Sequence, residues 1–559
     1  MTATARRTAI ATARRIIFSG LTILGVWVFL IVLRNFLAPG AIESIGQSRP
    51  AFGVAPDFND WSHSWSTGKP VADMINLRTG LTLQVVGLGM LLALGIAALL
   101  LCLGMLVRRV TARPEWLVRT RTILRLVFIS GGVSIPVFVW SVLYLVFVIR
   151  SGNQLPSTHG QVPWWSVFSV SLLPAWLLIQ TGHGEQSKWQ DNPSISYKQK
   201  AAQLGIKLVV RLLKLVGAII AVAMLAGAAP LGNLLMDSLS SMDLPVAFRV
   251  AWYFAVAVVV VKLAADLIEI ACRPAGAIPG PQTPGETRDR LRTAIPKGWL
   301  IFCFILVFVS VMVAVIGPAL APYGVNQVSM TDRLAPPSAQ HILGTDNVGR
   351  DTLTRLLYGI RTTLGVSLLS VAALAAIAAG WGVLARWASK ASNWVGEAVE
   401  DAIMLPRDVL CAFPWLVLFL MLITLTGPGF LQVAFIGGLV LLPRAAGMMQ
   451  EAYRSPPVGR SPTGAVLWAI AVMLLFAVAG GILYTSAISY LGVGVPPPQP
   501  ELGSLLSGSG RVYMIQAPWI ALAPSIVLSL LVFVWVMAGD AVLERLGFRS
   551  KAVWSKVME

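Results

Sequence analysis

Charged residues of both signs crowd into one short stretch of this chain. Asp346, Arg350, Asp351, Arg355 and Arg361 lie close together, with His341, Gly344, Thr345, Gly349 and Gly359 among them. Carboxylates and guanidiniums at this spacing make ion pairs, and the glycines permit tight turns between short helices. The expected chemistry is structural: a folded polar cap over 322–361. Catalysis finds little to use. Cys102, Cys272, Cys303 and Cys411 lie far apart, as do His63, His159, His183 and His341, and no pair has metal or redox spacing. No paired carboxylates or nucleophile–base pair shares a common depth. No GxxxxGK[ST] loop occurs, so ATP is not bound by that route. No catalytic residue, metal ligand or cofactor is expected on the chain.

The elements that must position this stretch are apolar. It lies between long hydrophobic runs at 299–321 and 365–385. Of the 559 residues, 56% are hydrophobic and 12% charged. The runs 80–106 and 461–500 carry no charge at all. About 18 such residues suffice to cross the hydrocarbon core of a bilayer. Lipid is therefore the expected solvent. The apolar stretch 16–32 is followed by no small-residue cleavage site before Arg34, so it reads as a retained first span.

The net charge of +18 could suggest a nucleic-acid partner, but its distribution does not. Lys and Arg cluster at 6–15, 108–125, 188–214, 273–297 and 545–556, each beside an apolar run, while alternate connections are poor in them. That is the positive-inside pattern, which puts both termini and 273–297 in the cytoplasm and 38–79 and 322–361 outside. The fold class expected is an all-α membrane protein with about twelve transmembrane helices. Spans are expected near 16–37, 80–107, 124–149, 164–181, 207–229 and 248–271, then 299–321, 363–385, 403–425, 430–449, 463–492 and 519–541. The segment 273–297, rich in Pro and Gly, reads as a linker between a first half, 1–272, and a second, 298–559. The halves look like distant repeats, and each ends alike: Asp266 and Glu269 precede Arg273, and Asp540 and Glu544 precede Arg545. Carboxylates there are expected to form salt bridges at the membrane boundary.

Leu334, Pro336, Pro337, Ser338, His341, the run 343–346, the run 349–351, Arg355, Gly359 and Arg361 form an ordered series. It resembles the periplasmic segment of the second permease subunit of dipeptide, oligopeptide and nickel ABC importers. More weakly, the run 67–71 with Thr82 and Leu83, then Pro136, Phe138, Pro230, Gly232, Leu234, Leu235, Asp243 and Pro245, resembles the partner subunit. The resemblance implies two six-helix halves of the type I importer permease kind, fused into one chain of a bacterial inner membrane. It implies a translocation subunit for peptides or similar small solutes. ATP and Mg would sit on separate ATPase subunits, and a periplasmic or lipid-anchored solute-binding protein would supply cargo.

In that family a short cytoplasmic helix passes force from the ATPase. Residues 197–205, YKQKAAQLG, fit it: Tyr197, Ala201 and Gly205 share one helix face, with Ala202 beside them. The second half departs from the pattern. After 443–451 it reads AYRSPPVGRSP, and Pro456, Pro457 and Pro462 would break a helix. Between the halves, few charges are expected at mid-membrane depth. That suits zwitterionic, varied solutes better than a bare metal ion such as nickel. Trp140, Phe413, Trp415, Tyr484 and Tyr490 are candidate path-lining residues. A membrane scaffold or sensor that kept the fold and lost symmetric coupling is the competing reading, and the missing second motif is its support.

Overall fold

The computed structural model describes residues 3–36, 61–110, 197–272, 297–389, 394–454, 462–507 and 513–545, short of a few positions inside them, and scattered positions from 167 to 179. Its elements are helices; among the described residues there is no strand, and two isolated bridges, His63 with Pro70 and Thr345 with Asp351, pin turns. Before 273 lie α1 (Ala3–Phe36), α2 (Val71–Val110), α3 (Tyr197–Lys214), α4 (Val216–Leu225), α5 (Pro230–Ser240) and α6 (Leu244–Ala271). After it lie α7 (Lys297–Ile316), α8 (Thr352–Ser389), α9 (Trp394–Ala412), α10 (Trp415–Thr426), α11 (Phe430–Arg454), α12 (Pro462–Tyr490), α13 (Leu502–Ser507) and α14 (Trp519–Arg545).

Among the described residues, five helical stretches are long and apolar enough to cross a bilayer: Thr12–Leu33, Val71–Cys102, Gly298–Leu320, Ile470–Tyr490 and Trp519–Leu543. Two further candidates are bent pairs, which would bring the number to seven. This corrects the unbroken runs expected at 207–229 and 403–425. Between α3 and α4 the axis bends by 54°, and between α9 and α10 by 85°. The second break has a clear cause. Pro414 has no N–H to donate and sits at φ −52°, ψ 130°, outside the helical region. At the first break the Leu215 N–H is shared between the carbonyls of Arg211 and Leu212, at 3.2 and 3.1 Å. The span expected at 124–149 lies outside the described residues, and that at 164–181 is described only in part.

Helices α8, α11 and α12 pack closely, with α14 against α12. Gly481 admits this approach: a Cβ there would lie 3.1 Å from the Ser367 Cβ. Helix α1 lies on α9. Gly25 is the contact point, since a Cβ would come 2.5 Å from a Val409 methyl. One turn on, the Phe29 and Phe413 rings are 5.6 Å apart. Lys262 of α6 donates to the Cys411 carbonyl at 3.3 Å, next to the α9–α10 break. A carbonyl at a helix C-terminus lacks an intrahelical partner and carries partial negative charge, so an ammonium suits it.

Candidate functional site

The segment from Gly317 to Thr352 is a folded unit built around Asp346. The Asp346 side chain is only 6% exposed and accepts from four donors. Val348 N and Arg350 N reach Oδ1, both at 3.0 Å. Arg350 Nε and Arg355 Nη1 reach Oδ2, at 2.8 and 2.9 Å. Burial, with Arg350 nearby, pushes the Arg355 guanidinium down to about 10 against the opposing pull of Asp346. Arg355 is therefore still charged at neutral pH and needs its carboxylate.

Further ties close the unit. His341 Nδ1 lies 3.0 Å from Asp351 Oδ1, and the Tyr323 ring covers the imidazole at 4.8 Å between centroids. Asp351 Oδ2 accepts from Thr354 N at 2.8 Å, which caps the start of α8. The Thr345 carbonyl accepts from Trp519 Nε1 at 3.1 Å, fastening the unit to the start of α14. Gly344 and Gly349 stand at φ +68° and +77°, where glycine is favoured. A Cβ on Gly349 would come 1.6 Å from the Ser329 carbonyl oxygen. Gly359 is different from what the sequence suggested. It is no turn but an interior residue of α8, lying against Leu502 of α13, and the expected short helices are two 3-10 turns, Gly317–Leu320 and Met330–Asp332. Arg361 is exposed on α8.

Another carboxylate lock lies earlier in the chain. Asp243, just before α6, accepts from the Ser64 hydroxyl, from Trp65 N at 3.1 Å and from the Ser66 hydroxyl at 2.7 Å. A further buried carboxylate, Glu501, stands just before α13. It accepts from the Thr363 and Ser486 hydroxyls at 2.8 and 2.9 Å, and from Gly503 N and Ser504 N at 2.8 and 3.2 Å. Neither was singled out as a site from the sequence. The available signal was a short repeat: PLGNLL at 230–235 and ELGSLL at 501–506. The structure gives the repeat a geometry. Leu231 N donates to Thr82 Oγ1 of α2 at 3.1 Å, and Leu502 N donates to Thr363 Oγ1 of α8 at 3.2 Å.

The chain matches no protein-family model. It is 27% identical over 267 residues to the dipeptide transport system permease protein DppC of Haemophilus influenzae, covering 88% of that protein and 43% of this chain. It is 29% identical over 273 residues to a di/tripeptide transport system permease protein of Pseudomonas aeruginosa, covering 86% of it. It is 30% identical over 266 residues to a peptide transport system permease protein of Brucella suis, again covering 86% of it and 44% of this chain. The chain belongs to the peptide transport permease family. The permease is a multi-pass membrane protein and a transporter component, not a catalytic one, and the larger part of its length lies outside these matches.

The remaining expected site residues are spread over the permease. Tyr197 and Ala201 lie in the first turns of α3. Ala202 and Gly205 of the same helix are exposed, and the space a Cβ on Gly205 would enter is open. Of the path candidates, Trp415 and Tyr484 are stacked at 4.4 Å, joining α10 to α12. Phe413 is buried against Phe29, and Tyr490 packs on the core. Trp140 lies outside the described residues, as does the proline-rich stretch 455–461. Asp266 and Glu269 pair as expected with basic residues: Lys214 Nζ reaches them at 3.1 and 2.7 Å, and Arg15 lies 3.4 Å from Asp266.

Proposed function

We propose that the permease is a whole translocation core in one chain, two fused halves of about six spans each, 1–272 and 298–559, joined by the cytoplasmic linker 273–297. It carries peptides or similar small solutes across the bacterial inner membrane. Separate ATPase subunits, holding ATP and Mg, drive it, and a solute-binding protein delivers to the 322–361 segment. The observation that carries the reading is the duplicated hydrogen bond. A threonine of α2 and a threonine of α8 each receive the N–H of a Leu-Gly pair opening α5 or α13. The similarity to dipeptide and peptide permeases supports the cargo.

The topology has a direct test. Ser338 is exposed on the 322–361 segment. After removal of Cys102, Cys272, Cys303 and Cys411, Ser338→Cys is expected to react with an impermeant thiol reagent added to intact cells. Reaction only after lysis would reverse the orientation.

The ATPase is expected to engage at Tyr197, Ala201, Ala202 and Gly205. A large side chain at exposed Gly205 leaves the permease's own packing alone but overfills a partner's groove, at about 1–3 kcal/mol. Gly205→Trp is therefore expected to reduce uptake by about tenfold or more, with membrane insertion retained. Gly459→Trp is expected to do much less, because no coupling helix is expected there. Normal uptake by Gly205→Trp, or equal damage at Gly459, would place the ATPase contact elsewhere.

A further inference from the structure

Helix α3 is fastened at the end opposite its exposed face. Lys214, its last residue, holds Glu269 Oε2 at 2.7 Å and Asp266 Oδ1 at 3.1 Å. The two carboxylates are three residues apart on α6 and so share a face. Arg15 of α1 adds a contact to Asp266 at 3.4 Å. The Lys214 and Asp266 side chains are 24% and 23% exposed, so water screens them less than a surface pair. An ammonium at a helix C-terminus also suits the macrodipole.

The covalent continuation of α3 is a bend. Beyond Leu215 the chain turns by 54° into α4. The ion pairs run instead to α6, an unbroken helix of 28 residues, about 42 Å long. At the far end of α6 stands Asp243, holding Ser64, Trp65 and Ser66. One helix thus joins the Lys214 cluster to the polar lock of the first half.

We propose that Lys214 is the joint through which movement of α3 reaches α6, and through α6 the 64–66 segment, so that the bend at Leu215 is bypassed. Lys214 is a positioning residue in this scheme, and the scheme rests on the reading of α3 as the ATPase contact.

The test uses the whole complex purified through this chain, with spin labels at exposed Lys69 and Ser338. The distance between the labels is measured with and without ATP and vanadate, alongside ATP hydrolysis. Wild type is expected to shift its distance distribution on trapping. Lys214→Met is expected to keep hydrolysing ATP while the shifted population falls about tenfold, the size a half-buried network of two pairs carries. Lys214→Arg is expected to retain the shift, and the exchange Lys214→Glu with Glu269→Lys to recover part of it. A full shift in Lys214→Met with a disabled Gly205→Trp overturns the joint alone. Loss of both shift and hydrolysis in Lys214→Met, unrescued by Lys214→Arg, makes it a structural staple and also overturns the proposal. Wild-type behaviour of Gly205→Trp, or no shift in wild type, removes the reading of α3 and the proposal with it.

Discussion

A Glu501→Leu permease is expected to be less stable than wild type by at least about 3 kcal/mol, and inactive at ordinary growth temperature. Leucine matches the volume roughly but accepts nothing. Gly503 N would then be buried without a partner, at about 1–3 kcal/mol, and half-buried Ser504 N would lose its acceptor as well. The Thr363 and Ser486 hydroxyls would lose their acceptor too. Repacking cannot compensate, because α13 already touches α12 closely: a Cβ on Gly503 would lie 2.0 Å from the Ser486 carbonyl oxygen. Glu501→Gln is the informative comparison. Its amide oxygen can keep the two N–H donors, and its amide nitrogen can donate to hydroxyls that rotate to accept. It is expected to lose much less. Thermal unfolding of both variants in detergent is the measurement, and equal midpoints for Glu501→Leu and wild type would remove this carboxylate from the fold's supports.

Asp346→Ala is expected to open the 329–351 segment while leaving the spans folded. The substitution removes the acceptor of two backbone and two guanidinium donors at once. Arg355, already pushed down to about 10 by burial, then has no carboxylate beside it. Removing one partner of a buried pair costs about 3–5 kcal/mol, because the remaining charge is uncompensated. The second change Arg355→Leu is expected to restore part of the loss for the same reason. Amide hydrogen exchange over 344–352 reads this directly, with faster exchange in Asp346→Ala and partial recovery in the double variant. Unchanged protection in the single variant would mean that the turn holds without its carboxylate.

Hydrophobic run length and the Lys/Arg clusters were enough to indicate a helical membrane protein, because lipid imposes both through the cost of burying backbone and charge. The crowding of Asp346, Arg350 and Arg355 marked a folded polar segment for an equally local reason. The partners within it were not legible. That Asp346 takes two arginines and Asp351 takes His341 depends on turns at Leu334, Gly344 and Gly349, which composition does not specify. Glu501 follows an uncharged run of forty residues, 461–500, beyond the span expected at 463–492. Its role rests on Thr363, which is 138 positions away, and such pairings carry no local signal. The break at Pro414 was missed because apolar content alone runs straight through it, although the proline itself announced a missing donor. Gly359 misled in the other direction, since glycine serves close helix packing as readily as turns.

We propose that this chain, by itself, forms the membrane path of a peptide importer driven by separate ATPases. Uptake of labelled dialanine by its own host strain tests it most directly, with the gene deleted, restored, or restored as Gly205→Trp. Uptake is expected to be lost on deletion, recovered by the single wild-type chain without any second permease gene, and reduced about tenfold or more with Gly205→Trp. Uptake unchanged by deletion, or recovered equally well by Gly205→Trp, would contradict it.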